Sequence, residues 1–161
     1  SCPFIFIMHV PSTRAASSSK PMVGVTTFEA IAHGVQTNTR SVLVVLDARR
    51  GQLYAQLFDF MLMPVDPPSV LPVQNIPSLK PSGQYIVAGT GVALARPYLL
   101  DSTVSEGDVI FDTGSGLPRA AVVARIARIR KPQPATTIRP IYLRAPDAVS
   151  PIVLGDGAPR V

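Results

Sequence analysis

A chain of 161 residues, 47% of them hydrophobic, is long enough to bury a core of its own, and its single cysteine excludes an internal disulfide. Charged residues make up only 16%, below the quarter usual for a free-standing surface, so part of the surface is expected to lie under a partner or another domain. Seventeen prolines exclude a helical bundle, no apolar run reaches bilayer length, and the net charge of +5 permits an acidic partner without requiring one.

Residues 1–20 differ in character from the remainder and read as an unrelated or disordered leader. Within them Phe4 to Met8 has the composition of an edge strand, while Ser12 to Lys20 is small and polar. Met22 to Val25 predicts a short strand. A helix follows, with Thr26 or Thr27 as its cap and Glu29 placed for a capping box anchored on Thr26. Phe28, Ile31, Ala32 and Val35 then share one helical face; His33 falls on the other side, as a surface residue, and Gly34 ends the helix.

Val42 to Leu46 is an unbroken β-branched and leucine run, the pattern of a strand buried on both faces. Asp47-Ala48-Arg49-Arg50-Gly51 interrupts it with turn chemistry, predicting a type I turn whose closing glycine forms a left-handed bulge. On the return strand Leu53, Ala55 and Leu57 alternate with Tyr54, Gln56 and Phe58.

Six prolines between residues 61 and 83 allow a short edge strand near Ser69 to Leu71 and a brief helix opening at Pro72. Gln84 to Ala88 is a further buried strand, turned by Gly89-Thr90-Gly91 into a helix reaching about Tyr98, and Val109 to Phe111 is a weaker strand. Leu117 to Arg130 predicts an amphipathic helix with Val122, Ile126 and Ile129 on its apolar stripe and Arg125 and Arg128 turned away. Pro132 and Pro134 stop it, Ile141 to Leu143 is a last short strand, and residues 148–161 read as a loose tail. From Ser41 the order is an antiparallel β-meander followed by αβαβα, an α/β mixed sheet. That is the order of the ribonuclease-H-like unit from which actin-like ATPase halves are built.

Catalytic chemistry is sparse. His9 and His33 lack metal-ligand spacing, and Asp47, Asp59, Asp101, Asp108 and Asp112 show no convergence of the kind a two-metal nuclease needs. Gly89-Thr90-Gly91 has no lysine of the phosphate-loop type after it and reads more simply as a tight turn than as a nucleotide contact. Asp112-Thr113-Gly114-Ser115-Gly116 has a superficial likeness to a phosphate loop or an aspartic-protease motif, but a plain loop is the better reading. Arg125, Arg128, Arg130 and Lys131 form a local basic cluster without aromatic interleaving, a weak signal for RNA. No cofactor is expected.

Four segments in register carry a family signal: KPMVGVTTFEAIA from Lys20, VLDARRGQLYA from Val45, VAGTG from Val87 and RPIYLRAPD from Arg139. Together they resemble the bacterial TsaB (YeaZ) subunits of the tRNA threonylcarbamoyladenosine machinery. The resemblance implies an actin-like, ribonuclease-H-like fold over residues 21–147, equivalent to the second domain of that family, with the family's N-terminal domain absent. It also implies a non-catalytic scaffold role in modifying adenosine 37 of tRNA, in the cytoplasm and away from membranes. The partners implied are the catalytic threonylcarbamoyltransferase subunit and a small ATPase, with tRNA met only through the complex. A homodimer is implied too, weakened by the missing domain. Asp47, Arg49, Gly51, Tyr54, Gly89, Gly91, Tyr142 and Arg144 are the motif positions it marks as a candidate interface. The rival enzyme reading is an M22 glycoprotease-like or actin-like ATP-binding protein.

Overall fold

The computed structural model describes residues 5–9, 21–35, 39–100 and 108–138, together with Leu143. The elements are β1 (Ile5–His9), β2 (Pro21–Thr26), α1 (Thr27–Ala32), β3 (Ser41–Asp47), β4 (Gln52–Phe58), β5 (Ser69–Pro72), a 3₁₀ helix (Val73–Leu79), β6 (Tyr85–Ala88), α2 (Val92–Leu99), β7 (Val109–Phe111), α3 (Ala120–Ile129) and the two-residue β8 (Gln133–Pro134). They build a five-stranded sheet of order β5-β4-β3-β6-β7 and a smaller sheet of order β1-β2-β8. In the larger one β3, β4 and β5 pair antiparallel, whereas β6 and β7 run parallel to β3. The meander and the alternation of helices and strands after it therefore form as the sequence predicts. The first helix after the meander is 3₁₀, with Pro77 inside it removing a donor.

β3 organises both sides of the larger sheet. Its side chains alternate, so Leu43 and Val45 join a core with Leu53, Ala55, Ile76, Val87, Ala95 and Leu99. Val42, Val44 and Leu46 point the other way, onto Phe28, Ile31 and Ala32 of α1. All five consecutive residues are buried, which is why the run shows no polar alternation. Each such valine or leucine contributes about 1.5–3 kcal/mol relative to exposure.

α1 is packed on two sides. Phe28, Ile31 and Ala32 face the larger sheet, while Ala30 enters a third cluster with Val23 and Val25 of β2 and Val122, Val123, Ile126 and Ala127 of α3. Its N-terminus is closed by the predicted capping box: Thr26 Oγ1 accepts from Glu29 N at 3.0 Å, and Glu29 Oε2 accepts from Thr26 N at 3.0 Å.

The edge strand read near Phe4 to Met8 forms: Ile5–His9 pairs antiparallel with Met22–Thr26 as the outer strand of the smaller sheet. Other expectations are corrected. The expected last strand lies outside the described residues except for Leu143, which packs against the α1–β3 cluster. Helix α3 begins at Ala120, beyond Pro118. Its buried stripe is Val122, Val123, Ile126 and Ala127, whereas Ile129 is 84% exposed. The stripe is filled where α3 lies on β2; at Ile129 the helix borders an open groove instead.

The hairpin turn also differs. Arg49, Arg50 and Gly51 all take positive φ (65°, 53° and 71°), and Gln52 N donates to Arg49 O at 3.1 Å. Two left-handed central residues are the hallmark of a type I′ turn, whose twist matches the flanking strands. The cost of left-handed arginines is offset locally: Asp47 Oδ1 accepts from Arg49 N at 2.7 Å, and Ala48 N donates to Gln52 O at 3.0 Å. A β-carbon at Gly51 would meet no neighbouring atom within 4 Å, so any effect there is conformational. Gly51→Val is expected to lower stability by about 1 kcal/mol or more, because a β-branched residue resists this φ. Thermal unfolding with an unchanged midpoint would contradict that.

Candidate functional site

Five of the eight sequence-marked residues, Asp47, Arg49, Gly51, Gly89 and Gly91, fall at two adjoining turns. Asp47, Arg49 and Gly51 form the hairpin tip, and Tyr54 of β4 packs at the edge of the α1–β3 cluster. Gly89 and Gly91 lie in the turn between β6 and α2, directly under the C-terminal end of β3. The turns are joined: Thr90 Oγ1 accepts from Asp47 N at 3.2 Å, and Gly91 N donates to Val45 O at 3.0 Å. Tyr142 and Arg144 lie outside the described residues. The Arg49 guanidinium approaches Asp47 at 4.0 Å, but it is 87% exposed and adds little to stability.

The glycines serve close backbone approach. A β-carbon at Gly89 (φ 116°) would stand 2.1 Å from Val45 O, and one at Gly116 (φ 67°) 2.5 Å from Gly89 C. The loop flagged as Asp112-Thr113-Gly114-Ser115-Gly116 thus ends by pressing its last glycine onto the Gly89-Thr90 peptide. Sequence reading missed this partnership, since only the fold brings the two loops together. Two of the amides at the start of α2 are engaged by the chain itself: Gly91 N with Val45 O, and Val92 N with Gly89 O at 3.3 Å. The same loop borders a cavity of about 260 Å³ with Val35, Asp112 and Arg119 in its wall.

A second cluster was not legible as a unit. Arg119 Nη2 donates to Gly34 O at 2.7 Å and Arg125 Nη2 to His33 O at 2.8 Å, placing two cations at the C-terminal end of α1. Arg130 donates to Gly24 O at 2.8 Å and to Glu29 Oε1 at 2.6 Å. Two members of the basic cluster, Arg125 and Arg130, therefore hold the fold together, which weakens the RNA reading. Burial acts most strongly on the Glu29 carboxyl and would raise its pKa. The Arg130 hydrogen bond and charge and the Thr26 contacts together outweigh it and hold the group below its ordinary value of 4.5. His33, expected at the surface, is half-buried; burial and the charges of Arg125 and Arg130 lower its pKa from 6.5 against the pull of Glu29.

Among the described residues no three His, Cys, Asp or Glu side chains gather to hold a metal, and no helix is long and apolar enough to cross a membrane. No family model and no curated protein matches the chain. Solved structures do, among them an uncharacterized protein with similarity to peptidase YeaZ from Pseudomonas aeruginosa, at 19% identity and a TM-score of 0.56, over 74% of this chain. The fold is shared with that YeaZ-like protein. This chain spans 57% of its length. Both the mixed sheet and the α/β layering are thus an architecture that a YeaZ-like protein also adopts.

Proposed function

We propose that this chain is a ribonuclease-H-like, actin-like-superfamily unit of the TsaB (YeaZ) type. It serves as a non-catalytic scaffold in threonylcarbamoylation of adenosine 37 of tRNA, in the cytoplasm. The sheet order β5-β4-β3-β6-β7 supports the fold assignment: a meander and two parallel strands added beside its first strand. One observation carries the scaffold reading. The sequence motifs of the resemblance that fall among the described residues occupy places where the chain packs on itself: the capping box, the hairpin tip and the glycine turn. Motif residues engaged in this way serve the shape of the chain. The partners proposed are the catalytic threonylcarbamoyltransferase subunit and the small ATPase, with tRNA reached through them.

The test is co-purification of the full chain with the catalytic subunit, followed by reconstitution of the tRNA product with ATP, threonine and bicarbonate. A stable complex, and product formation that rises when the chain is added, are expected. Nucleotide hydrolysis or proteolysis by the chain alone, or no association with the catalytic subunit, would overturn the reading.

A further inference from the structure

The loop between β4 and β5 is built as a rigid display. Asp59 Oδ1 accepts from Met61 N at 2.9 Å and from Met63 N at 2.8 Å, while Asp59 N donates to Met63 O at 2.9 Å. Leu62, at φ 61°, turns inward against the α1–β3 cluster, and Val65 N donates to Leu57 O at 2.9 Å. Gln56, buried in β4, closes the far end by donating to Asp66 O at 3.0 Å. With its backbone held in this way, the loop leaves Phe60, Met61 and Met63 between 59% and 68% exposed. Across from it stands Ile129. Met61, Leu62, Met63, Pro64, Ile126 and Ile129 line a groove of about 320 Å³. An ordered loop that presents large apolar groups beside a concave floor carries no folding advantage of its own, and marks a binding surface.

We propose that this groove receives the apolar stripe of an amphipathic helix from a protein partner, with carboxylates flanking that stripe. Methionines and an isoleucine around a concave floor suit leucine-sized ridges. The charge at the rim chooses among occupants. Exposed Arg128 and Lys131 flank Ile129 along the chain, and Arg130 and His33 line the groove's polar end. Glu29 there is already paired with Arg130, the Asp59 carboxylate is engaged by the loop's own amides, and the exposed Asp66 stands at the other end of the loop. A second copy packed with Ile129 near the two-fold axis would bring Arg128 and Lys131 close to their own like charges. A flat bilayer would leave the floor unfilled. The surface lies apart from the motif turns, so the proposal stands independently of the tRNA-modification reading.

The experiment uses the full chain and fluorescently labelled helical peptides with leucines at i, i+3, i+4 and i+7, flanked either by glutamates or by lysines. Anisotropy is expected to show binding of the glutamate form, at least about tenfold tighter than the lysine form and weakened by salt. Met61→Glu and Ile129→Glu are each expected to weaken it at least about tenfold without changing the melting temperature, both side chains being exposed. Binding by neither peptide, equal binding by the variants, or equal binding of the two peptides would overturn the proposal. So would cosedimentation with vesicles of phosphatidylcholine and phosphatidylglycerol, or self-association, that the same variants abolish.

Discussion

Gly89→Ala is expected to be the most damaging glycine-to-alanine change among the described residues, lowering the unfolding free energy by about 3 kcal/mol or more. Two costs combine. The backbone at φ 116° is a conformation that side chains rarely adopt, and the new carbon would stand 2.1 Å from Val45 O. That oxygen belongs to the central strand and accepts from Gly91 N, so it cannot retreat without breaking the joint between β3 and the turn. Gly83 supplies the comparison: its φ is 82°, but a β-carbon there meets nothing within 4 Å. Gly83→Ala carries the conformational cost alone, about 1 kcal/mol. Urea unfolding of the two variants measures the difference. Equal losses would show that the turn yields where the geometry says it cannot.

Arg130→Ala is expected to cost about 2 kcal/mol, from loss of the bonds to Glu29 and Gly24. The figure is below the range for a fully buried pair because the guanidinium is 38% exposed, while the Glu29 side chain left behind is 18% exposed. pH separates this from simple loss of packing. The folded pKa of Glu29 is depressed, so its stabilisation is complete above pH 4.5 and is lost as pH falls through the folded value. His33, also depressed, is bound neutral by the fold; stability is lost as pH falls from 6.5 through its folded value. Both effects run the same way, and wild-type stability is expected to rise with pH across the acid range. In Arg130→Ala the desolvation of Glu29 is no longer opposed by that arginine, so the loss below pH 4.5 is expected to shrink. Denaturation at a series of pH values checks it; an unchanged acid slope would rule out the ion pair as the cause.

The capping box at Thr26 and Glu29 was readable because its parts lie three residues apart, and local hydrogen bonding alone requires that spacing. The second task of Glu29, receiving Arg130 from 101 residues away, has no spacing to betray it. The hairpin shows the boundary inside a single motif. Its position followed from the break in the apolar run, yet two left-handed arginines were not foreseen, because Asp47 and the twist of β3 and β4 stabilise a conformation that arginine disfavours alone. Ile129 had the right period for the buried stripe of α3 and ended exposed, since period describes a face and says nothing of whether anything covers it.

By itself the amino-acid order determined most of the strands and helices from Met22 onward, though not their bounds, and that β3 is buried on both faces. These depend on contacts within a few residues and on periods of two and 3.6. Tertiary structure alone decided that Gly116 presses on Gly89, that three arginines hold α1, and that a methionine loop and the end of α3 border one groove. Those are encounters between distant segments, fixed by how the larger sheet packs on α1 and α1 on β2 and α3, and no local pattern encodes them.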